Sequence, residues 1–79
     1  MNNKLIIVDD DTPFRERLCR SMEKKGFSVE SYVNYKDGLK RCSNITFDYA
    51  IIDMRLEDGS GLELIKKINQ ISPSTKSLL

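Results

Sequence analysis

The sequence predicts an α/β fold built on an open, doubly wound parallel sheet, and three observations carry that reading. Apolar runs alternate with stretches of helical periodicity in the order β-α-β-α-β-α-β, which implies parallel strands joined by right-handed crossovers. Leu5–Val8 and Tyr49–Ile52 are continuously apolar, as strands buried on both faces are. Each run is followed at once by acid, Asp9-Asp10-Asp11 after the first and Asp53 after the other.

The elements follow in order. After the first strand, Thr12-Pro13 reads as a helix start, a hydroxyl cap followed by proline at the first helical position. Phe14, Leu18 and Met22 form an apolar stripe at intervals of four, and Gly26 supplies the stop. Phe27–Val33 contains the second strand, with Phe27, Val29 and Ser31 alternating against Ser28, Glu30 and Tyr32. Asn34 with Asp37 resembles the cap of a short second helix whose inner face is Tyr35, Leu39 and Cys42. Tyr49–Asp53 is the third strand. Ser60-Gly61-Leu62-Glu63 matches a capping box. It opens a helix that buries Leu62, Leu64, Ile65 and Ile68 and is closed by Ser72-Pro73. Lys76–Leu79 reads as the start of a fourth strand, inside which the sequence stops.

Residues just past the carboxyl ends of strands line the ligand crevice of such a sheet. Asp9, Asp10 and Asp53 therefore converge, although more than forty residues separate the two signals. Carboxylates at ~5 Å repel by roughly 3 kcal/mol per pair at an effective dielectric of about 20. A divalent cation removes that cost, and hard oxygen donors suit Mg²⁺. The chemistry indicated is Mg²⁺-assisted phosphoryl transfer.

Composition narrows the field. Seventy-nine residues make one small domain, with 39% apolar and 32% charged residues and a net charge of +1. Interspersed charge argues against a nucleic-acid patch or a membrane-binding surface. There is no spanning stretch, no signal peptide before Lys4 and no internal repeat. Cys19 and Cys42 lack metal or disulfide spacing and read as reduced core thiols. A cytoplasmic protein is expected.

On these residues the chain resembles the receiver domain of two-component response regulators. Val8-Asp9-Asp10 matches that family's acidic pair, Asp53 its phosphoacceptor aspartate, and Gly61, eight residues on, the glycine opening its third helix. The resemblance implies a flavodoxin-like (CheY-like) sheet. It covers the whole chain, which takes in about the first two-thirds of a receiver. Residues 1–79 are thus expected to be a partial receiver, a fragment ending at the start of its fourth strand. Many receivers carry proline four residues after the acceptor, where this chain has Glu57. The stretch Asp53–Leu62 is instead similar to the RegA/PrrA/ActR group of redox-responding regulators, as are Asp9–Phe14 and Gly26-Phe27. That group continues into a helix-turn-helix DNA-binding domain, so transcriptional control is implied for a longer parent.

The resemblance also implies roles. Asp53 is the nucleophile that accepts a phosphoryl group from a sensor histidine kinase. Asp9 and Asp10 hold Mg²⁺ together with Asp53 and the backbone carbonyl of Arg55. The family assigns no role to Asp11, which reads from its position as a helix-start residue interacting with the dipole. Asp48, just before the third strand, reads as a turn or capping residue in preference to a ligand. Arg55, Glu57 and Asp58 lie in the loop beside the site and read either as tuning phosphate lifetime or kinase choice or as a solvated loop. The domain catalyses only its own phosphorylation and dephosphorylation and turns over no free substrate. The family's switch hydroxyl and lysine would follow Leu79, and Thr75 and Ser77 match neither. Without the family's last helix, apolar sheet surface beside the Phe14–Met22 helix and a strand edge are left open, so self-association is expected. Two other readings are weighed. A haloacid-dehalogenase-like phosphatase would use Asp9 as nucleophile in Asp9-Asp10-Asp11-Thr12-Pro13, but leaves Asp53 and Gly61 unexplained. A non-signalling receiver scaffold would occupy a kinase without relaying its signal.

Overall fold

A computed structural model describes residues 2–78. Its main sheet has four parallel strands. They are β1 (Lys4–Val8), β2 (Ser28–Tyr32), β3 (Tyr49–Ile52) and, after a small hairpin of β4 (Arg55–Leu56) and β5 (Gly59–Ser60), β6 (Lys76–Ser77). Helices α1 (Thr12–Lys24), α2 (Tyr35–Cys42) and α3 (Gly61–Ile71) make the crossovers. The strand order is β2-β1-β3-β6. The chain leaves β1 to one side and returns to β3 on the other, so β1 and β3 flank the topological switch point where such sheets bind ligands. The predicted parallel α/β architecture is the one found. The β4–β5 hairpin was not anticipated, because two-residue strands carry no period.

Alternation sorts the side chains. Ile6, Val8, Ala50 and Ile52 point to one face, where they pack with Cys42, Phe47, Leu56, Leu64 and Ile68, with Tyr35, Leu39 and Ile65 at the margin. This is the α2–α3 side. On the other face the Phe27 and Tyr49 rings meet edge to face at 5.5 Å. Leu5, Ile6, Ile7 and Val8 are all fully buried, as a central strand covered on both sides requires. Gly38 lies against this core because a Cβ there would sit 2.8 Å from Val8 Cγ2.

Several local expectations are corrected. The cap of α1 is Asp11 rather than Thr12: its carboxylate accepts from the Phe14 amide at 3.1 Å, placing Thr12 and Pro13 inside the helix. Acidic side chains cap at least as well as threonine. Phe14 is exposed and Arg15 is the buried residue of that turn, at 44% and 8% accessibility. Leu62 is also exposed. It lies two residues, or about 200° of helix, from Leu64, so the two cannot share one inward face. The third strand ends at Ile52, one residue before Asp53. Ser60 caps α3 through a long 3.4 Å bond from Glu63 N, while the Glu63 carboxylate turns toward Lys66 at 3.8 Å instead of back to Ser60. Gly26, with φ of 99°, ends α1 as expected. Leu79 lies outside the described residues, but Lys76 and Ser77 pair with Tyr49 and Ala50 as the fourth strand of the sheet. Among the described residues no helix is long and apolar enough to cross a membrane.

Candidate functional site

The register of β1 and β3 brings the acids together. Val8 pairs with Ile52, and the Asp53 amide donates to the Val8 carbonyl at 2.9 Å. Asp9 and Asp53 therefore step off adjacent strands at the same height. The Asp9 amide is held in turn by the Tyr32 carbonyl at 3.1 Å. Carboxylate oxygens of Asp9, Asp10 and Asp53 all lie within 4.8 Å of one another, each residue half-buried. Of the residues singled out in sequence, these three converge. Asp48 is at the opposite end of the sheet, where its side chain accepts from the Lys4 amide at 3.0 Å. That is the capping role expected of it.

Three like charges at this separation cost roughly 3 kcal/mol per pair at an effective dielectric of about 20. Asp9 registers this. Burial first, then the charges of Asp53, Asp10 and Asp11, push its carboxyl above the ordinary range, against the lowering bond from the Asp11 amide. The oxygens fit a small divalent cation. Ligands about 2.1 Å from a Mg²⁺ ion are at most about 4.2 Å apart, so a contraction of roughly half an ångström closes the set.

The flanking loops are held by contacts that the sequence does not show, one of them made by Arg15, which no motif singles out. Arg15 donates from one guanidinium nitrogen to the Asp9 carbonyl at 2.8 Å and to Thr12 Oγ1 at 3.3 Å. Its Nε is buried and finds no hydrogen-bond partner among the described residues. The signal for Arg15 was faint, an arginine three residues after the hydroxyl it bonds. On the Asp53 side, the Gly61 amide donates to the Met54 carbonyl at 2.9 Å, and a Cβ on Gly61 would collide with the Asp53 carbonyl. Glycine is required there by close backbone approach. Asp58 accepts from the amides of Tyr35 and Lys36 at 2.8 and 3.1 Å. Its partners are 22 and 23 residues away, so no local pattern could reveal it. Asp53 itself accepts only a long 3.4 Å contact from the Arg55 amide among the described residues.

Asp9 and Asp53 also line an open depression of about 390 Å³, together with Phe14, Leu18, Ile51, Met54 and Leu78. Cys42 is remote from the site in the α2–α3 core, where burial pushes its thiol up to about 11. Both cysteines are free thiols.

Comparison with known proteins agrees with this geometry. The response regulator receiver domain model matches residues 5–79. The acid tolerance regulatory protein ActR of Rhizobium meliloti is 40% identical over 78 residues, 99% of this chain and 40% of the relative. The photosynthetic apparatus regulatory protein RegA of Rhodovulum sulfidophilum is 43% identical over 72 residues, 91% of this chain and 39% of the relative. The chain thus spans about two-fifths of these relatives. Among solved structures, a CheY-like receiver from Methanospirillum hungatei superposes with a TM-score of 0.93 at 31% identity, over 98% of this chain and 62% of the other. A Burkholderia pseudomallei response regulator with a phosphorylated aspartic acid and a calcium ion gives 0.89 at 27%, over 95% and 44%. TrrA of Thermotoga maritima was solved with Mg²⁺-BeF and in complex with the histidine kinase ThkA. These give 0.88 and 0.86, both at 25% identity over 95% of this chain and 65% of theirs.

Proposed function

The chain belongs to the response regulator receiver domain family, and from that premise we propose that it accepts a phosphoryl group from a sensor histidine kinase onto Asp53. The observation carrying the proposal is the convergence of Asp9, Asp10 and Asp53 at the switch point of the sheet. Asp53 is the acid best suited to attack. Both acids line the depression, but Asp9 Oδ1 is engaged by the Asp11 amide at 2.8 Å, whereas Asp53 has the longer 3.4 Å contact from the Arg55 amide. This favours Asp53 over an Asp9 nucleophile of the haloacid-dehalogenase kind.

A carboxylate oxygen of Asp53 attacks phosphorus in line, the phosphorus–nitrogen bond to the kinase imidazole breaks, and the electron pair returns to that ring. The product is a mixed anhydride. Water attacking the same phosphorus later restores the carboxylate, so the chain is altered and reset without consuming a free substrate. Arg15 and the Gly61 contact keep the two acidic loops at fixed height, which positions the nucleophile with little reorganisation. Asp9, Asp10, Asp53 and the Arg55 carbonyl would hold Mg²⁺, which when bound offsets carboxylate repulsion and charge on the transferring oxygens. The metal-bearing TrrA and Burkholderia structures support this assignment, as the TrrA–ThkA complex supports the kinase partner.

We further place residues 1–79 as the receiver part of a longer cytoplasmic transcriptional regulator with a DNA-binding output domain. Similarity to ActR and RegA, both named regulatory proteins and each spanned over about two-fifths of its length, supports a longer regulatory parent, and the resemblance to that group supplies the DNA-binding output. The test is to incubate the chain with Mg²⁺ and a small-molecule phosphodonor and read its intact mass. One added phosphoryl group, absent from Asp53→Asn, is expected. An adduct of equal yield on Asp53→Asn would overturn the assignment.

A further inference from the structure

The first turn of α2 is completed from outside its own segment. A helix leaves its leading amides without intrahelical partners. Here the Asn34 side chain serves one of them, accepting from Asp37 N at 2.8 Å, while its carbonyl takes the first intrahelical bond from Gly38 N at 3.2 Å. The amides of Tyr35 and Lys36 are served by Asp58, five residues past Asp53. Each carboxylate oxygen takes one amide, at 2.8 and 3.1 Å. These are charge-assisted bonds to the positive end of a helix, and they hold the Asp58 carboxyl below its ordinary range, the Tyr35 bond contributing most. The next residue reinforces the junction. Gly59 lies under the Tyr35 ring, where a Cβ would come within 2.8 Å of Cδ2. Lys67 of α3 also reaches this ring, its Nζ standing 5.5 Å from the Tyr35 centroid.

The segment from Asp53 to Gly61 is thus held at two points. Gly61 closes against Asp53 and Met54, and Asp58 fastens the outer end to α2. Between them lie the acceptor and the Arg55 carbonyl. We propose that Asp58 is a positioning residue, whose bond pair to the α2 N-terminus sets the cation affinity and phosphorylation rate of Asp53 without touching either reactant. The proposal rests on the phosphoacceptor reading of Asp53. Coupling of this kind is reciprocal in binding, so an occupied site should in turn hold the first turn of α2 more firmly.

The test compares the native chain with Asp58→Ala, Asp58→Asn, Lys36→Pro and the double variant Asp58→Ala/Lys36→Pro. Lys36→Pro deletes one of the two donors, and a first-turn proline is compatible with a helix, as Pro13 is in α1. The Mg²⁺ dissociation constant is read from amide shifts of Asp53 and Arg55, and the adduct rate from intact mass. Asp58→Ala should weaken Mg²⁺ and slow the adduct by about fivefold or more, the low end of couplings between sites. Asp58→Asn keeps one acceptor oxygen and should recover part of the loss. Asp58→Ala should cost less when Lys36 is already proline, because one bond is then missing in both. If Asp58→Ala does not fold, the Asp58→Asn and Lys36→Pro chains carry the same comparison. Values within about twofold of native, or fully additive losses, would overturn the inference. A native chain that takes no phosphoryl group and binds no Mg²⁺ overturns the phosphoacceptor reading and this inference together. A reactive native chain with a silent Asp58→Ala overturns the inference alone.

Discussion

Replacing Gly61 with alanine drives a methyl group into the backbone that carries the nucleophile. The added Cβ would lie 2.7 Å from the Asp53 carbonyl carbon and 2.8 Å from Met54 Cα. Ordinary carbon contacts need about 3.5 Å or more, so these two alone require the chains to part by roughly 0.8 Å, and clearing the Asp53 carbonyl oxygen requires more. None of these obstacles is a flexible side chain, so the cost falls in the upper part of the overpacking range, about 2–3 kcal/mol. Alanine returns at most ~1 kcal/mol as the better helix former, leaving a net loss of about 1–2 kcal/mol. A domain of this length holds only ~4–12 kcal/mol in total, so the loss is measurable. With a urea dependence near 1 kcal/mol per molar, at the low end of the usual range of about 1–3, the unfolding midpoint should fall by about 1–2 M. The site should suffer more than the fold. A parting of ~0.8 Å exceeds the roughly 0.5 Å within which a reacting constellation must be held, so phosphorylation should slow by about tenfold or more. A Gly61→Ala chain with a midpoint within about 0.3 M of native and an unchanged adduct rate would refute the reasoning, since it would mean the loop is not pinned at this contact.

Glu30 and Cys42 yield predictions away from the site. The bidentate bonds from Arg41, at 2.8 and 3.1 Å, hold the Glu30 carboxyl below its ordinary range. A depressed carboxyl contributes stability that is present above its unfolded value and lost as pH falls through the folded one. Urea midpoints should therefore drop below about pH 4.5, and Arg41→Gln should flatten that part of the profile; a parallel profile in the variant would contradict it. Cys42, with its thiol raised by burial to about 11, should resist alkylation at neutral pH until the chain unfolds. Half-buried Cys19 should label first, and equal labelling rates would contradict the burial. Phe14, Met54 and Leu78 are 44, 51 and 43% exposed around one depression, and β6 pairs on one side with β3. Such apolar surface, beside a β6 edge unpaired among the described residues, should make this chain self-associate with rising concentration. A concentration-independent monomer by light scattering would sink that expectation.

The strands and the acids were legible because their signals are local. Continuous apolar runs mark strands buried on two faces, and an acid at the end of each fixes where they meet. Asp9, Asp10 and Asp53 could be brought together from that alone. What the sequence concealed depends on contacts distant along the chain or on competition at one turn. Asp11 took the cap from Thr12 because both are capable and the carboxylate reached the Phe14 amide. Arg15 exchanged places with Phe14 because its guanidinium found the Asp9 carbonyl, which no periodicity records. Leu62 is apolar yet exposed because it lies about 200° around α3 from Leu64, which the helical angle shows and an apolar count does not. The loop held against α2 by Asp58 joins residues more than twenty apart, and only the folded chain brings them into contact.

The claim that Asp53 is the acceptor is tested most directly by locating the modification. After reaction with Mg²⁺ and a small-molecule phosphodonor, reduction with borohydride converts an acyl phosphate into the corresponding alcohol. Peptide mass spectrometry then reads which residue carried it. The account predicts homoserine at position 53 with Asp9 and Asp10 unchanged. Homoserine at position 9 or 10, with Asp53 intact, would contradict it.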